Sequence, residues 1–167
     1  MLNLTRRIPA APLVQGGLTL PFELRCRSRL RARLDDGREA ALFLPRGEVL
    51  RGGDLLQAED GTVVRVVAAP EAVSTARADD SSLLTRAAYH LGNRHVALQV
   101  DQEWLRYLQD HVLDDMVRAL GLQVRIEQAP FEPEPGAYGG THPHEPGHGH
   151  ERTHGHSNSH GQHDHGH

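Results

Sequence analysis

The stretch from Ala88 to Val100 reads AYHLGNRHVALQV and predicts a helix, a short connection and a strand in immediate succession. Apolar residues recur at the three- and four-residue spacing of one buried helix face, at Leu84, Ala87, Ala88 and Leu91. Gly92 is placed to end this helix in a left-handed conformation. Val96–Val100 is an apolar, partly β-branched run that predicts a strand. His95 therefore lies at the edge of an element, where we expect it to be exposed.

A histidine in this connection has two interpretations. Imidazole is a common ligand for nickel, copper and zinc, so His95 can hold a metal ion. A single histidine at the start of a strand is, however, more often a hydrogen-bonded structural residue. The local pattern leaves both interpretations open.

Two motifs around this connection resemble the signature of the UreE family of urease accessory proteins. They are YHLGNRH, from Tyr89 to His95, and DHVLDDM, from Asp110 to Met116. Three more segments and a histidine-rich end extend the resemblance over nearly the whole chain: Phe43–Gly47, Pro130–Glu134 and Gly136–Tyr138. The resemblance implies a carrier that brings nickel to urease, with His95 as the metal ligand that two subunits bring together at a dimer interface.

A dimer also agrees with the chemistry of a single imidazole. One imidazole competes poorly for a divalent ion, whereas two copies at a twofold axis begin a coordination sphere that further histidines can complete. In the family, additional metal-binding histidines cluster just before the second helix, and the resemblance places His111 among them. Gln109 stands where some relatives have another histidine, so the chain departs from the family pattern there.

Composition favours two small domains, because 167 residues with 38% hydrophobic and 4% aromatic content supply only small cores. The formal net charge of −4 gives no support for nucleic-acid binding, which needs a strongly basic surface. The single cysteine, Cys26, excludes an intramolecular disulfide and is typical of a reducing cytosol. We find neither a signal-peptide pattern nor an apolar run of transmembrane length. We therefore expect a soluble cytoplasmic protein with no membrane partner.

Apolar and polar residues alternate from Leu18 to Leu34, which predicts one long strand. Its other face carries the arginine ladder, by which we mean Arg25, Arg27, Arg29, Arg31 and Arg33. Because adjacent like charges need solvent or acidic partners, the ladder predicts a solvated face. An acidic docking surface on a partner protein is the alternative. Cys26 falls on the apolar side, which predicts a buried, unreactive thiol.

Frequent turn signals predict that residues 1–70 form a small all-β domain. Asp35–Arg38 is a hairpin-turn pattern, and later turns separate short apolar runs at Val49–Leu50, Leu55–Leu56 and Thr62–Val67. None of the 13 histidines precedes His90, and we find neither a phosphate-binding loop nor a Ser-His-Asp set. We interpret this domain as an interaction module and expect that the protein is not an enzyme.

Residues 71–138 follow the βαββαβ order of a ferredoxin-like fold, which makes the predicted class α+β. The six elements are predicted at Ala72–Arg77, Ser81–Leu91, Val96–Val100, Trp104–Leu108, His111–Leu120 and Gln123–Gln128. Asp110 is placed to cap the second helix and Gly121 to end it. His111, in the first turn of that helix, either binds metal or pairs with Asp115. For His90 we favour a structural role, since a cation in the last turn of a helix complements its dipole.

Residues 130–136, PFEPEPG, predict an extended linker, because prolines cannot supply strand hydrogen bonds. The tail, residues 139–167, has almost nothing apolar to bury and predicts disorder. Ten of the 13 histidines lie in it, without the unbroken run of a purification tag: His142, His144, His148, His150, His154, His156, His160, His163, His165 and His167. Imidazole at this density predicts capture of nickel, copper or zinc in preference to magnesium or calcium.

Residues and resemblance together imply a nickel metallochaperone. In this prediction a homodimer collects Ni²⁺ with its tail, holds it between paired His95 residues and delivers it to the urease assembly machinery. The same imidazoles also accept Zn²⁺ and Cu²⁺. The partners that the resemblance implies are the accessory GTPase and the urease apoprotein complex. The alternative is a storage or detoxification protein that buffers nickel or zinc without delivering it.

Overall fold

The computed structural model describes residues 1–136, which form two β-sheets with three helices. The predictions for the tail, its disorder and its ten histidines, lie outside the described residues. Among residues 1–136, no helix has both the length and the apolar character needed to cross a membrane.

The first half of the chain forms a six-stranded sheet. Its strands are β1 Leu2–Ile8, β2 Gly17–Leu20, β3 Arg29–Arg33, β4 Glu39–Phe43, β5 Leu55–Ala58 and β6 Val63–Ala68, in the spatial order β2-β6-β5-β1-β4-β3. Leucine, valine and alanine side chains from these strands form one core, which includes the buried Leu4, Leu18 and Leu56. β3 and β4 form the predicted hairpin, and Gly37 at its turn has a left-handed φ of 90°.

The predicted single strand from Leu18 to Leu34 is wrong. A short helix, α1 Phe22–Arg25, interrupts it, so that β2 and β3 lie at opposite edges of the sheet. Pro21 starts the helical turn, and its carbonyl accepts hydrogen bonds from the amides of Leu24 and Arg25 at 3.1 Å each. β1 was not predicted from the sequence. The apolar run Val49–Leu50 lies outside any strand.

The short helix also overturns two predictions about side chains. Arg25 is fully buried rather than solvated, whereas Arg29, Arg31 and Arg33 on β3 are exposed as predicted. Cys26 is exposed rather than buried, because it follows the helical turn instead of facing the core from a strand.

The second half of the chain forms a four-stranded antiparallel sheet packed against two helices. Its elements follow in the predicted order: β7 Pro70–Arg77, α2 Ser81–Asn93, β8 Gln99–Val100, β9 Trp104–Leu108, α3 His111–Ala119 and β10 Gln123–Pro130. The strands lie in the order β10-β7-β9-β8, with β8 at an edge. The helices and the sheet enclose a second core: Ala76, Leu84, Ala87, Leu91, Leu105, Tyr107, Val117 and Leu122. β8 is two residues long, shorter than the predicted Val96–Val100.

Carboxylate caps begin both helices of this half. The Asp110 side chain accepts from the amides of Val112 and Leu113 at 2.8 and 3.2 Å, which confirms the predicted cap of α3. Asp80 accepts from the Ser82 amide at 2.8 Å and starts α2 in the same way. These caps fix where each helix begins and therefore where its histidines lie.

The predicted linker at residues 130–136 is also wrong. Pro130 still belongs to β10, where the edge of the sheet tolerates a residue without an N–H. Phe131 is fully buried, and Arg25 donates a hydrogen bond to its carbonyl. The segment after β10 is thus held against the body of the protein.

Candidate metal centre

His95 lies in the connection between α2 and β8, and its side chain is exposed, as predicted. The helix, however, does not end at Gly92. It continues to Asn93, and His95 itself adopts the left-handed backbone, with φ at 56°. The prediction that Gly92 ends the helix in this conformation is therefore wrong.

Two backbone hydrogen bonds define the turn at His95. The His95 amide donates to the Gly92 carbonyl at 2.9 Å, and the Val96 amide donates to the Leu91 carbonyl at 3.2 Å. This pair of bonds is the Schellman motif, whose left-handed position is usually glycine. The motif ties the backbone of His95 to the last turn of the helix, so the exposed imidazole projects from a fixed point.

α3 ends in the same motif with glycine in the left-handed position. Gly121, as predicted, has a φ of 101°, and its amide donates to the Arg118 carbonyl at 2.9 Å while the Leu122 amide donates to Val117 at 3.3 Å. A left-handed conformation costs a residue with a β-carbon about 1–2 kcal/mol, although histidine is among the better tolerated side chains. The comparison shows that folding alone does not require histidine at position 95.

The end of α2 around His95 is polar. The Arg94 guanidinium donates to the His90 carbonyl at 3.3 Å, which places positive charge at the negative end of the helix dipole. His90 is half-buried in the last turn, and its ring lies 5.4 Å from the exposed ring of Tyr89 in an edge-on arrangement. A surface cavity of about 650 Å³ lies at the opposite end of α2, where Asp80, Leu84 and Gln123 are among its lining residues.

His111 is exposed in the first turn of α3. The pairing with Asp115, one of the two alternatives for His111, is absent from the side-chain contacts of residues 1–136. Asp115 instead lies 3.4 Å from the Arg118 guanidinium, one turn along the same helix. His111 as a metal ligand stays a prediction.

One chain does not complete a metal site within the part that the structure describes. In residues 1–136, no three side chains of histidine, cysteine, aspartate or glutamate lie close enough together to hold an ion. His95 and His111 belong to no such group, and the histidines from His142 to His167 lie outside the described residues. Within the described residues of one chain, the exposed imidazole of His95 is therefore not part of a complete set of metal ligands.

Sequence reasoning missed a buried polar pair under α3. The Tyr107 hydroxyl donates to the Asp114 carboxylate at 2.8 Å, and both side chains are buried. Burial and this hydrogen bond raise the pKa of Tyr107, so the phenol remains a donor. The pair attaches the helix that carries His111 to β9. Its only signal in the sequence is an aspartate three residues before Val117, on the apolar face of α3.

Two family models match the chain over almost its entire length. Residues 3–69 match the N-terminal domain of UreE urease accessory protein, and residues 71–167 match its C-terminal domain. The chain belongs to the UreE family. This is a family of urease accessory proteins and not of enzymes.

Individual UreE proteins are similar to the chain over most of their own length. The urease accessory protein UreE of Alkalilimnicola ehrlichii is 66% identical over 140 residues, which cover 84% of this chain and 86% of the relative. That of Pseudomonas putida strain W619 is 63% identical over 139 residues, covering 83% and 86%. That of Citrobacter koseri is 55% identical over 150 residues, covering 89% and 99%.

Proposed function

We propose that this protein is a nickel metallochaperone that captures Ni²⁺ and delivers it to the urease assembly machinery. The observation that carries the proposal is the exposed imidazole of His95 in a left-handed turn, in a chain that belongs to a family of urease accessory proteins. Imidazole suits Ni²⁺, and it also accepts Zn²⁺ and Cu²⁺. The ion is cargo, which the protein must bind and later release.

The working unit in this proposal is a homodimer. Because no complete metal group lies within residues 1–136 of one chain, His95 needs ligands from elsewhere. A second His95 across a twofold axis supplies one, and histidines of the tail supply others. His111 is a further ligand candidate, since it is exposed.

We propose three functional regions for this chain. Residues 1–70 form the interaction domain, with the accessory GTPase and the urease apoprotein complex as partners. Residues 71–138 form the metal-binding and dimerisation domain, which we assign to the ferredoxin-like class; the βαββαβ element order and the strand order β10-β7-β9-β8 support this assignment. Residues 139–167 capture metal, and the cytoplasm is the proposed location.

Urease activation at limiting nickel tests the proposal. His95→Ala should fail to activate urease, and excess nickel should restore activation. His90→Ala is the matched control, because it removes a half-buried imidazole from the same helix end and leaves the turn at position 95 intact. Thermal unfolding of each variant checks that the fold survives.

Truncation after Tyr138 separates delivery from storage. It removes all ten tail histidines and should lower the number of nickel ions bound while activation through His95 persists. If His95→Ala activated urease as well as the parent and truncation abolished activation, His95 would not be the delivery site. If neither change affected urease, the storage or detoxification function would be the better account.

A further inference from the structure

The segment Phe131–Glu134, which we call the strap, is bound to the first half of the chain through Arg25, a buried arginine of α1. Arg25 is fully buried, and its guanidinium donates to the carbonyls of Leu20 and Leu50 at 3.2 and 3.0 Å. It also donates to the Glu132 carboxylate at 2.8 Å and to the Phe131 carbonyl. A buried charge without partners is strongly unfavourable, so the strap supplies two acceptors that Arg25 needs.

Further residues from the first half of the chain also contact the strap. The Gly52 amide donates to the Glu132 carboxylate at 2.9 Å, and Arg51 donates to the Pro133 carbonyl at 2.6 Å. The buried Phe131 ring packs edge-on against Phe22 of α1, with ring centroids 5.4 Å apart. Residues of α1 and of the loop before β5 therefore fix the strap by packing as well as by hydrogen bonds.

On its other side the strap supports the strand that follows His95. The Glu132 amide donates to the Gln99 side chain at 3.0 Å, and the Glu134 amide donates to the Leu98 carbonyl at 2.8 Å. β8 needs this support, because it has two residues and lies at the sheet edge, where only β9 pairs with it. Leu98 is three residues from His95.

We propose that Arg25 and Glu132 are positioning residues for His95 and act through the strap. The Schellman motif fixes the start of the connection and the strap fixes its end, so that His95 is held between two anchors. The positioning role rests on the proposed function, because it matters to nickel only if His95 binds it. The strap also gives the proposed interaction domain, residues 1–70, a continuous set of contacts to the connection that carries His95.

Amide hydrogen exchange of the full-length, metal-free protein tests the strap directly. Glu134→Pro removes the N–H that binds Leu98, while Glu134→Ala keeps that N–H and is the matched control. We expect exchange at residues 96–100 to become about five- to tenfold faster in Glu134→Pro, which corresponds to one lost backbone hydrogen bond, and to stay unchanged in Glu134→Ala.

Glu132→Ala tests the other side of the strap. It removes the carboxylate that Arg25 and Gly52 contact, so we expect exchange at residues 96–100 to rise about 10- to 100-fold, as for the loss of a charged hydrogen bond. Glu23→Ala is the control, because Glu23 belongs to the same short helix as Arg25 but pairs with the exposed Arg27. If Glu132→Ala does not fold, Glu134→Pro decides alone, since it leaves the acceptors of Arg25 in place.

The role of the strap in metal binding is tested by adding Ni²⁺ and measuring how strongly the amides of residues 92–100 become protected from hydrogen exchange. The nickel concentration for half-protection should rise in Glu134→Pro and Glu132→Ala, because a smaller fraction of the protein holds the connection in its binding conformation, and neither control should change it. Unchanged exchange at residues 96–100, or equally faster exchange throughout the chain, would overturn the proposal. If nickel protected nothing at residues 92–100 of the parent, the proposed function would fail, and metal-free exchange would still decide whether the strap orders the connection.

Discussion

The left-handed backbone of His95 predicts that the residue proposed to bind nickel lowers the stability of the fold. Replacing His95 with glycine should raise the free energy of unfolding by about 0.5–1 kcal/mol. Glycine adopts a φ of 56° without the steric cost of a β-carbon, and its larger entropy in the unfolded chain offsets part of the gain. The same change should remove nickel from the connection, because the imidazole is lost.

Two matched substitutions check the reasoning at the same kind of helix end. Gly121→Ala should lower the free energy of unfolding by about 1 kcal/mol. A β-carbon there would meet only the Leu83 side chain at 3.7 Å, an ordinary contact, so the cost is conformational. Gly92→Ala should raise the free energy by about 0.5–1 kcal/mol, because Gly92 is helical and a β-carbon there meets nothing within 4 Å.

Urea unfolding followed by tryptophan fluorescence is a suitable assay. Trp104 is the only tryptophan and lies in β9, so its signal reports on the second sheet. Protein concentration is kept fixed and a chelator is present, because dimerisation and metal both shift apparent stability. A decrease for His95→Gly, or no effect of Gly121→Ala, would refute the conformational argument. A decrease for Gly92→Ala would mean that Gly92 and not His95 carries the left-handed turn.

Three more predictions concern protons and buried groups. Bound nickel, measured by equilibrium dialysis, should fall from about pH 7.5 to about pH 5, because protons compete for imidazoles with an ordinary pKa of about 6.5; equal occupancy at both would contradict histidine ligation. Tyr107→Phe should lower the free energy of unfolding in urea by about 1–3 kcal/mol, since the buried Asp114 loses its donor, whereas Tyr89→Phe on the surface should change little. The Thr75 hydroxyl and Arg106 lower the pKa of Glu127. The ionised Glu127 should therefore stabilise the fold fully above the ordinary value of 4.5, and this stabilisation should be lost as pH falls through the lower folded-state pKa. Glu127→Gln should remove this part of the pH dependence of the free energy of unfolding.

Local patterns predicted the elements of the second half because each signal there lies within a few residues of the feature it predicts. The Trp104–Leu108 strand has the predicted limits, and the Asp110 cap begins α3 where expected. The same kind of reasoning failed at Leu18–Leu34. Alternation continued through Pro21, where the helical turn begins, and the burial of Arg25 depends on acceptors from a segment more than 100 residues away. No local pattern carries that information.

For the candidate site, too, some features could be predicted from the sequence and others could not. Exposure of His95 followed from its place between a helix and a strand, and the resemblance assigned it a metal. Its left-handed backbone did not follow, because a glycine three residues earlier offered a better local ending for the helix. In the structure the helix extends to Asn93, with Leu91 fully buried on its inner face and Gly92 exposed.

Stability and the proposed metal binding thus make opposite demands at position 95. α3 shows that this chain ends a helix with glycine where only the turn matters, and α2 ends in the same motif with a histidine that glycine could replace at a gain in stability. A ligand at this point needs a side chain that is exposed and a backbone that is fixed, and the left-handed turn supplies both. The strap then adds two hydrogen bonds, to Leu98 and Gln99, to a connection that leads into the two-residue β8. Nickel binding at His95 should therefore depend on both halves of the chain. In the urease activation assay, Glu132→Ala should lower activation in part, as a weakened His95 site would, whereas His90→Ala should leave it unchanged.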